Sequence, residues 1–194
     1  MISQLDGAQG DLGATTSSRR RHLTSKAISK GTPSQVAGHT VGLIADTHGL
    51  LRPEAIRILH GTERIIHAGD IGDPAVLQAL RTLARVTAVR GNVDTEDWAR
   101  GFPKTATLTI DEVGVYVLHD LGTLDLVPEA AGFRVVVSGH SHRPVIQERN
   151  GVLYVNPGSA GPRRFRGSVS LALMKVLGTI VDVRLVPLDV FVGS

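Results

Sequence analysis

Val41-Gly42-Leu43-Ile44-Ala45-Asp46-Thr47-His48 is an apolar run that stops abruptly in three polar residues. Such a run suits a strand buried on both faces, with a loop at its carboxyl end. The next fifty residues set the fold class. Pro53 to His60 reads as a short helix with Pro in its first turn, and Arg64 to His67 as a second strand. Asp73-Pro74 opens a second helix, with Asp as cap and Val76, Leu77, Leu80 and Leu83 at helical spacing. Val86 to Val89 is a third strand. Alternation of strand and helix predicts a parallel sheet covered by helices.

Beyond residue 104 the pattern turns to strands. Thr105–Ile110 and Val113–Leu118 flank the turn Asp111-Glu112, and Arg134–Ser138 is a further apolar run. Pro144–Gln147 and Val152–Val155 flank Asn150-Gly151, a strong hairpin signal. Ser168–Val176 and Thr179–Val186 flank Leu177-Gly178 as another hairpin. A helix-bearing first half and a strand-rich second half predict two mixed sheets packed face to face, with helices outside.

The composition of the 194 residues excludes several classes. There is no cysteine, which removes disulfide scaffolds, thiolate-held zinc, iron–sulfur clusters and thiol catalysis. No apolar run approaches the length of a membrane-spanning helix. The net charge of +3 belongs wholly to residues 1–40, where Arg19, Arg20, Arg21, Lys26 and Lys30 face only Asp6 and Asp11. Residues 41–194 are neutral overall, which argues against a nucleic-acid-binding face on the folded part. Residues 1–40 are small, polar and basic without periodicity; they are expected to form a flexible basic leader, with the folded domain over 41–194. A cytoplasmic location is the expected one, and open sheet edges make a homodimer an expected arrangement.

The polar residues fall at the ends of the strands. Asp46 and His48 follow the first, Asp70 the second and Asn92 the third, while His119 and then His140 and His142 close two later runs. Carboxyl ends of strands in an α/β sheet share one rim, so these seven side chains are expected to converge there. The pairs Asp46/His48 and His140/His142 are spaced i, i+2, which points both members the same way from extended backbone. Carboxylate, amide oxygen and imidazole without thiolate suit Mn, Fe, Ni or Zn better than Ca. Seven ligands exceed one transition ion's needs, whereas two ions sharing Asp70 fit the count.

Taken in order, Asp46-Thr-His48, Gly69-Asp70, Gly91-Asn92, His119 and Gly139-His140-Ser-His142 resemble the calcineurin-like metallophosphoesterase superfamily. Gly91-Asn-Val-Asp94, and Asn156-Pro-Gly-Ser159 followed by Arg163-Arg164, are similar to its small YfcE/MJ0936-like phosphodiesterase branch. The resemblance spans roughly residues 41–186. It implies a four-layer α/β/β/α sandwich and two divalent ions, Mn foremost, with Ni, Fe or Zn as substitutes. One ion would take Asp46, His48, Asp70 and His142, and the other Asp70, Asn92, His119 and His140. Two ions about 3.5–4 Å apart lower the pKa of a bridging water, so the implied reaction is hydrolysis of small phosphodiesters by that hydroxide. Asp70, Asn92 and His140 would carry the chemistry, and Asn92 and Arg163 would contact the phosphate ester. The alternative is a protein-binding scaffold of the same fold with little or no catalysis, as in the retromer subunit VPS29.

Two positions depart from the family pattern. Many members have His directly after the motif Asn, where it can protonate the leaving group, but this chain has Val93. Relatives often carry His-Gly-His where this chain has His119-Asp-Leu121. Several roles stay open on sequence alone. Asp94 reads equally as a group orienting a ligand and as an exposed turn acid. The Gly158–Arg166 loop reads equally as a phosphate cradle and as a solvated basic loop. His67 reads best as a hydrogen-bonded core histidine, and Trp98 with Phe102 as a small packing cluster. His22 and His39 receive no role.

Overall fold

The computed structural model describes residues 38–163 and 168–188. The expected basic leader lies outside them except for its last three residues, of which His39 and Thr40 already begin the first strand, two residues before the expected boundary. The strands are β1 (His39–Ile44), β2 (Arg64–His67), β3 (Arg85–Ala88), β4 (Thr105–Ile110), β5 (Val113–Leu118), β6 (Phe133–Val137), β7 (Val145–Arg149), β8 (Val152–Asn156), β9 (Ser170–Leu177) and β10 (Ile180–Pro187). Two α-helices, α1 (Pro53–Leu59) and α2 (Pro74–Arg81), interrupt the first three.

The strands form two mixed five-stranded sheets, ordered β10-β9-β1-β2-β3 and β4-β5-β6-β8-β7. β1, β2 and β3 run parallel, as the intervening helices require, and β9 returns antiparallel against β1. In the second sheet β5, β6 and β8 are parallel, flanked by β4 and β7 through the two hairpins.

Period-2 alternation decides which side chains meet. Val41 and Leu43 on β1 and Ile66 on β2 face Val113, Val115 and Val117 on β5 and Val135 and Val137 on β6, closing an inter-sheet core. The opposite face of the first sheet packs through Ile44 and Ile65 against Ala55 and Leu59 of α1 and Val76, Leu77 and Leu80 of α2. Gly42 makes the α1 contact possible, because a Cβ there would overlap the Leu59 side chain. α2 starts where expected: the Asp73 carboxylate accepts from the Ala75 amide at 2.7 Å, with Pro74 in the first turn. Over the second sheet the outer layer is reduced. Leu121, in a single 3₁₀ turn (Leu121–Thr123), and Leu124 and Leu126 beyond it cover Tyr116, Leu118 and Val136. Trp98 and Phe102 form the packing cluster expected of them, edge to face at 6.3 Å and set against the α2 side of the core. Among the described residues no helix is long and apolar enough to cross a membrane.

Candidate metal centre

All seven strand-end side chains come together at one rim. Asp46, His48, Asp70 and His142 each offer a ligand atom, and those atoms lie within 4.8 Å of one another. His142 Nε2 stands 3.2 Å from Asp46 Oδ1, and His48 Nε2 stands 3.3 Å from His142 Nε2. Beside this group Asn92 Oδ1 is approached at 3.0 Å by both His119 Nε2 and His140 Nδ1. Asp70 lies between the two groups. Its Oδ2 is 3.9 Å from His48 Nε2 and its Oδ1 is 3.4 Å from His119 Nε2, one oxygen toward each side.

The protonation pattern shows that this set fits cations. The Ala68 carbonyl can only accept, so His119 Nδ1 donates to it at 2.8 Å. In the neutral ring Nε2 is then a bare lone pair, and it faces two more acceptors, Asn92 Oδ1 and Asp70 Oδ1. Acceptors aimed at one another repel unless a proton or a metal ion lies among them. An imidazole whose far nitrogen is tied to a backbone carbonyl is also the usual support of a metal-binding histidine. Asp46 and Asp70 are buried, and two carboxylates so close require cations. Burial alone would raise the Asp70 pKa, but a His119 ring that has taken up a proton at Nε2, together with the Val93 amide, holds it below the usual carboxylate range. His119 is raised: burial opposes its charging, and the pairing with Asp70 outweighs that.

The backbone differs from the expected extended pairs. Asp46, His48, Asp70, His140 and His142 all have positive φ, between 45° and 66°. Left-handed backbone costs a non-glycine residue on the order of 1–2 kcal/mol, and such strain gathers where a function fixes geometry. The side chains therefore converge because tight left-handed turns aim them inward. Pleating is not the cause.

Residues around the rim hold those turns in place. Asp94 resolves in favour of a positioning role: its buried carboxylate accepts from the Ile71 and Gly72 amides at 3.1 and 2.9 Å and from Gly91 at 2.8 Å, fixing the loops that carry Asp70 and Asn92. Gly91 passes so close to Asp70 that a Cβ would collide with its carboxylate and its amide. Thr47, unassigned from sequence, is fully buried between Asp46 and His48. Its hydroxyl donates to the Ile71 carbonyl at 2.9 Å, so it must accept from His67 Nε2 at 2.9 Å. His67 Nδ1 in turn accepts from the Gly69 amide. His67 is thus the core histidine expected, and burial pushes its pKa down to about 4.

The Asn156–Ser159 segment also serves the rim from within. Asn156 Nδ2 donates to the Gly139 carbonyl at 2.6 Å, while Ser159 Oγ and the Gly161 amide donate to the Asp46 carbonyl. The Gly158 amide is taken by Asn156 Oδ1. These donors brace the loops and are not presented as a phosphate cradle. Arg163 is exposed just beyond them; Arg164 and Arg166 lie outside the described residues. A signal for the bracing roles exists in the sequence only as small polar residues next to glycine, which many turns share.

Residues 40–179 match the calcineurin-like phosphoesterase superfamily domain. The chain is 34% identical over 132 residues to "Probable metallophosphoesterase MJ0623" of Methanocaldococcus jannaschii, covering 61% of this chain and 67% of that one. It is 28% identical over 136 residues to "Phosphodiesterase MJ0936" of the same organism, covering 61% and 82%. Among solved structures, Vacuolar Protein Sorting 29 of Cryptosporidium parvum superposes with a TM-score of 0.64 at 21% identity, over 78% of this chain and 98% of that one. At that identity the likeness establishes the fold alone.

Proposed function

The chain belongs to the calcineurin-like phosphoesterase superfamily, and from that membership we propose that it is a two-metal hydrolase of small phosphodiesters. The observation that carries the reading is Asp70, one buried carboxylate with an oxygen toward each of two ligand groups. Asp46, His48, Asp70 and His142 would hold one divalent ion, and Asp70, Asn92, His119 and His140 the other. Manganese is the ion we assign, with Ni, Fe or Zn able to replace it. Two such ions supply an activated water nucleophile and the positive charge that phosphoryl transfer requires.

The chain's own groups do the rest. Asn92 and His140 are the exposed members of the set, so the substrate reaches the centre past them. The Asn92 amide nitrogen is left to donate to a phosphoryl oxygen while its oxygen faces the imidazoles. Arg163, two residues beyond the Gly161 amide that holds Asp46, is assigned to an outer phosphoryl oxygen. A cytoplasmic setting completes the proposal. A complete ligand set favours this reading over a scaffold of the same fold.

Val93 sets a limit on the chemistry. Its amide donates to Asp70 Oδ1 at 3.0 Å, and its side chain is exposed and carries no transferable proton. A missing general acid costs about 10²–10⁴-fold on poor leaving groups. Across a series of methyl aryl and methyl alkyl phosphodiesters under saturating Mn, kcat is therefore expected to fall steeply as the leaving-group pKa rises. A flat series would mean that a proton donor exists elsewhere. No turnover of even the most activated ester would remove the hydrolase reading.

A further inference from the structure

We propose that a cationic cavity beside the second ligand group binds an anionic group on one ester arm of the substrate, most simply a terminal phosphate. This rests on the phosphodiesterase reading. The cavity, about 220 Å³, shares Asn92, His119 and His140 with the rim and extends away from it to Arg90, Lys104 and Thr123. The Arg90 amide donates to the Pro103 carbonyl at 2.9 Å, which anchors Lys104 next to Arg90. Among the described residues neither side chain makes an ion pair or a hydrogen bond.

The charge balance favours an anion. The single carboxylate lining this cavity is Asp120, and its Oδ1 is committed to the Gly122 amide while its Oδ2 points toward His140 at 4.0 Å. Two cationic side chains that line one recess without an ion pair favour an anion there, and a phosphate reaching both offsets their charge. An Arg fork with a neighbouring ammonium is the donor set that phosphate recognition uses. A second cavity, about 280 Å³, meets the first at Asp120 and His140, and its lining mixes Leu121, Val145 and Tyr154 with Arg143 and Arg149. Arg149 already bonds Gln147 and lies over Tyr154, so it is less available there than Arg90 and Lys104 are in the first.

The test compares two 4-nitrophenyl diesters under saturating Mn, one with a propyl second arm and one with a 3-phosphonopropyl arm. In parallel, calorimetry compares propylphosphonate with propane-1,3-bisphosphonate on the Mn-loaded protein. Wild type is expected to favour the phosphono probe at least about tenfold in KM or in affinity, as charge-assisted bonds imply. Arg90→Gln and Lys104→Gln should each erase most of that preference, and Lys104→Glu should reverse it. Lys104 is exposed, so its variants keep the fold. Equal handling of both probes by wild type, or a preference that survives all three variants, overturns the proposal while turnover still upholds the hydrolase reading. Bisphosphonate binding that depends on Arg90 and Lys104, with neither diester hydrolysed, upholds the anion site and overturns that reading.

Discussion

Asp70→Asn is expected to lower kcat/KM for an aryl phosphodiester by about 1,000-fold, the scale of removing one preorganised electrostatic group. Asparagine is nearly isosteric, and its Oδ1 can still accept from the Val93 amide at the 3.0 Å position. The substitution removes one negative charge and the second anionic oxygen that faces His48. The metal-free variant should be modestly less stable than wild type, because the fold favours the ionised Asp70 beside His119 and the Val93 amide, but it should still unfold as one cooperative unit. Urea unfolding with metal removed separates this from simple loss of structure. A variant that keeps a tenth of the activity would show that Asp70 does not join the two ligand groups.

Stability should fall by about 3 kcal/mol between pH 6.5 and pH 4 because of His67 alone. Its folded pKa is depressed to about 4, against 6.5 in the unfolded chain. Above pH 6.5 neither state binds the proton and the slope is zero. Between the two values the unfolded chain is protonated and the folded chain is not, so stability drops as pH falls. Below about 4 the contribution is fully lost. The physical cause is burial, together with a hydrogen-bond arrangement in which Nδ1 must accept from Gly69 and cannot carry a proton. Urea denaturation of wild type and His67→Gln at pH 7, 5.5 and 4 reads the difference. A difference that does not narrow as pH falls would mean that His67 titrates normally.

Much of the fold was legible because its signals are local. β2, β4 and β5 fall on the expected residues, each being an apolar or alternating run bounded by turn residues. The site residues were legible for a related reason: each stands directly after such a run, where topology forces a shared rim. The reasons for their convergence were not. Spacing of i, i+2 suggests pleated backbone, while left-handed φ at Asp46, His48, His140 and His142 depends on hydrogen bonds from loops far away in sequence. Asp94, Thr47 and Asn156 were hidden for the same cause, since most of their partners are backbone groups that no residue type announces. The thin outer layer on the second sheet was also out of reach, because Leu121, Leu124 and Leu126 show no helical period to mark it.

The central claim is that this rim holds two ions and hydrolyses phosphodiesters with them. Its most direct test is titration of the metal-stripped protein with Mn, following bound ion and hydrolysis of bis(4-nitrophenyl) phosphate in the same samples. The account predicts activity that rises with bound metal and levels off at two equivalents per chain, and that collapses in Asn92→Ala. Two bound ions without turnover would contradict the hydrolase reading and leave a metal-holding scaffold. Failure to bind metal would contradict the centre itself.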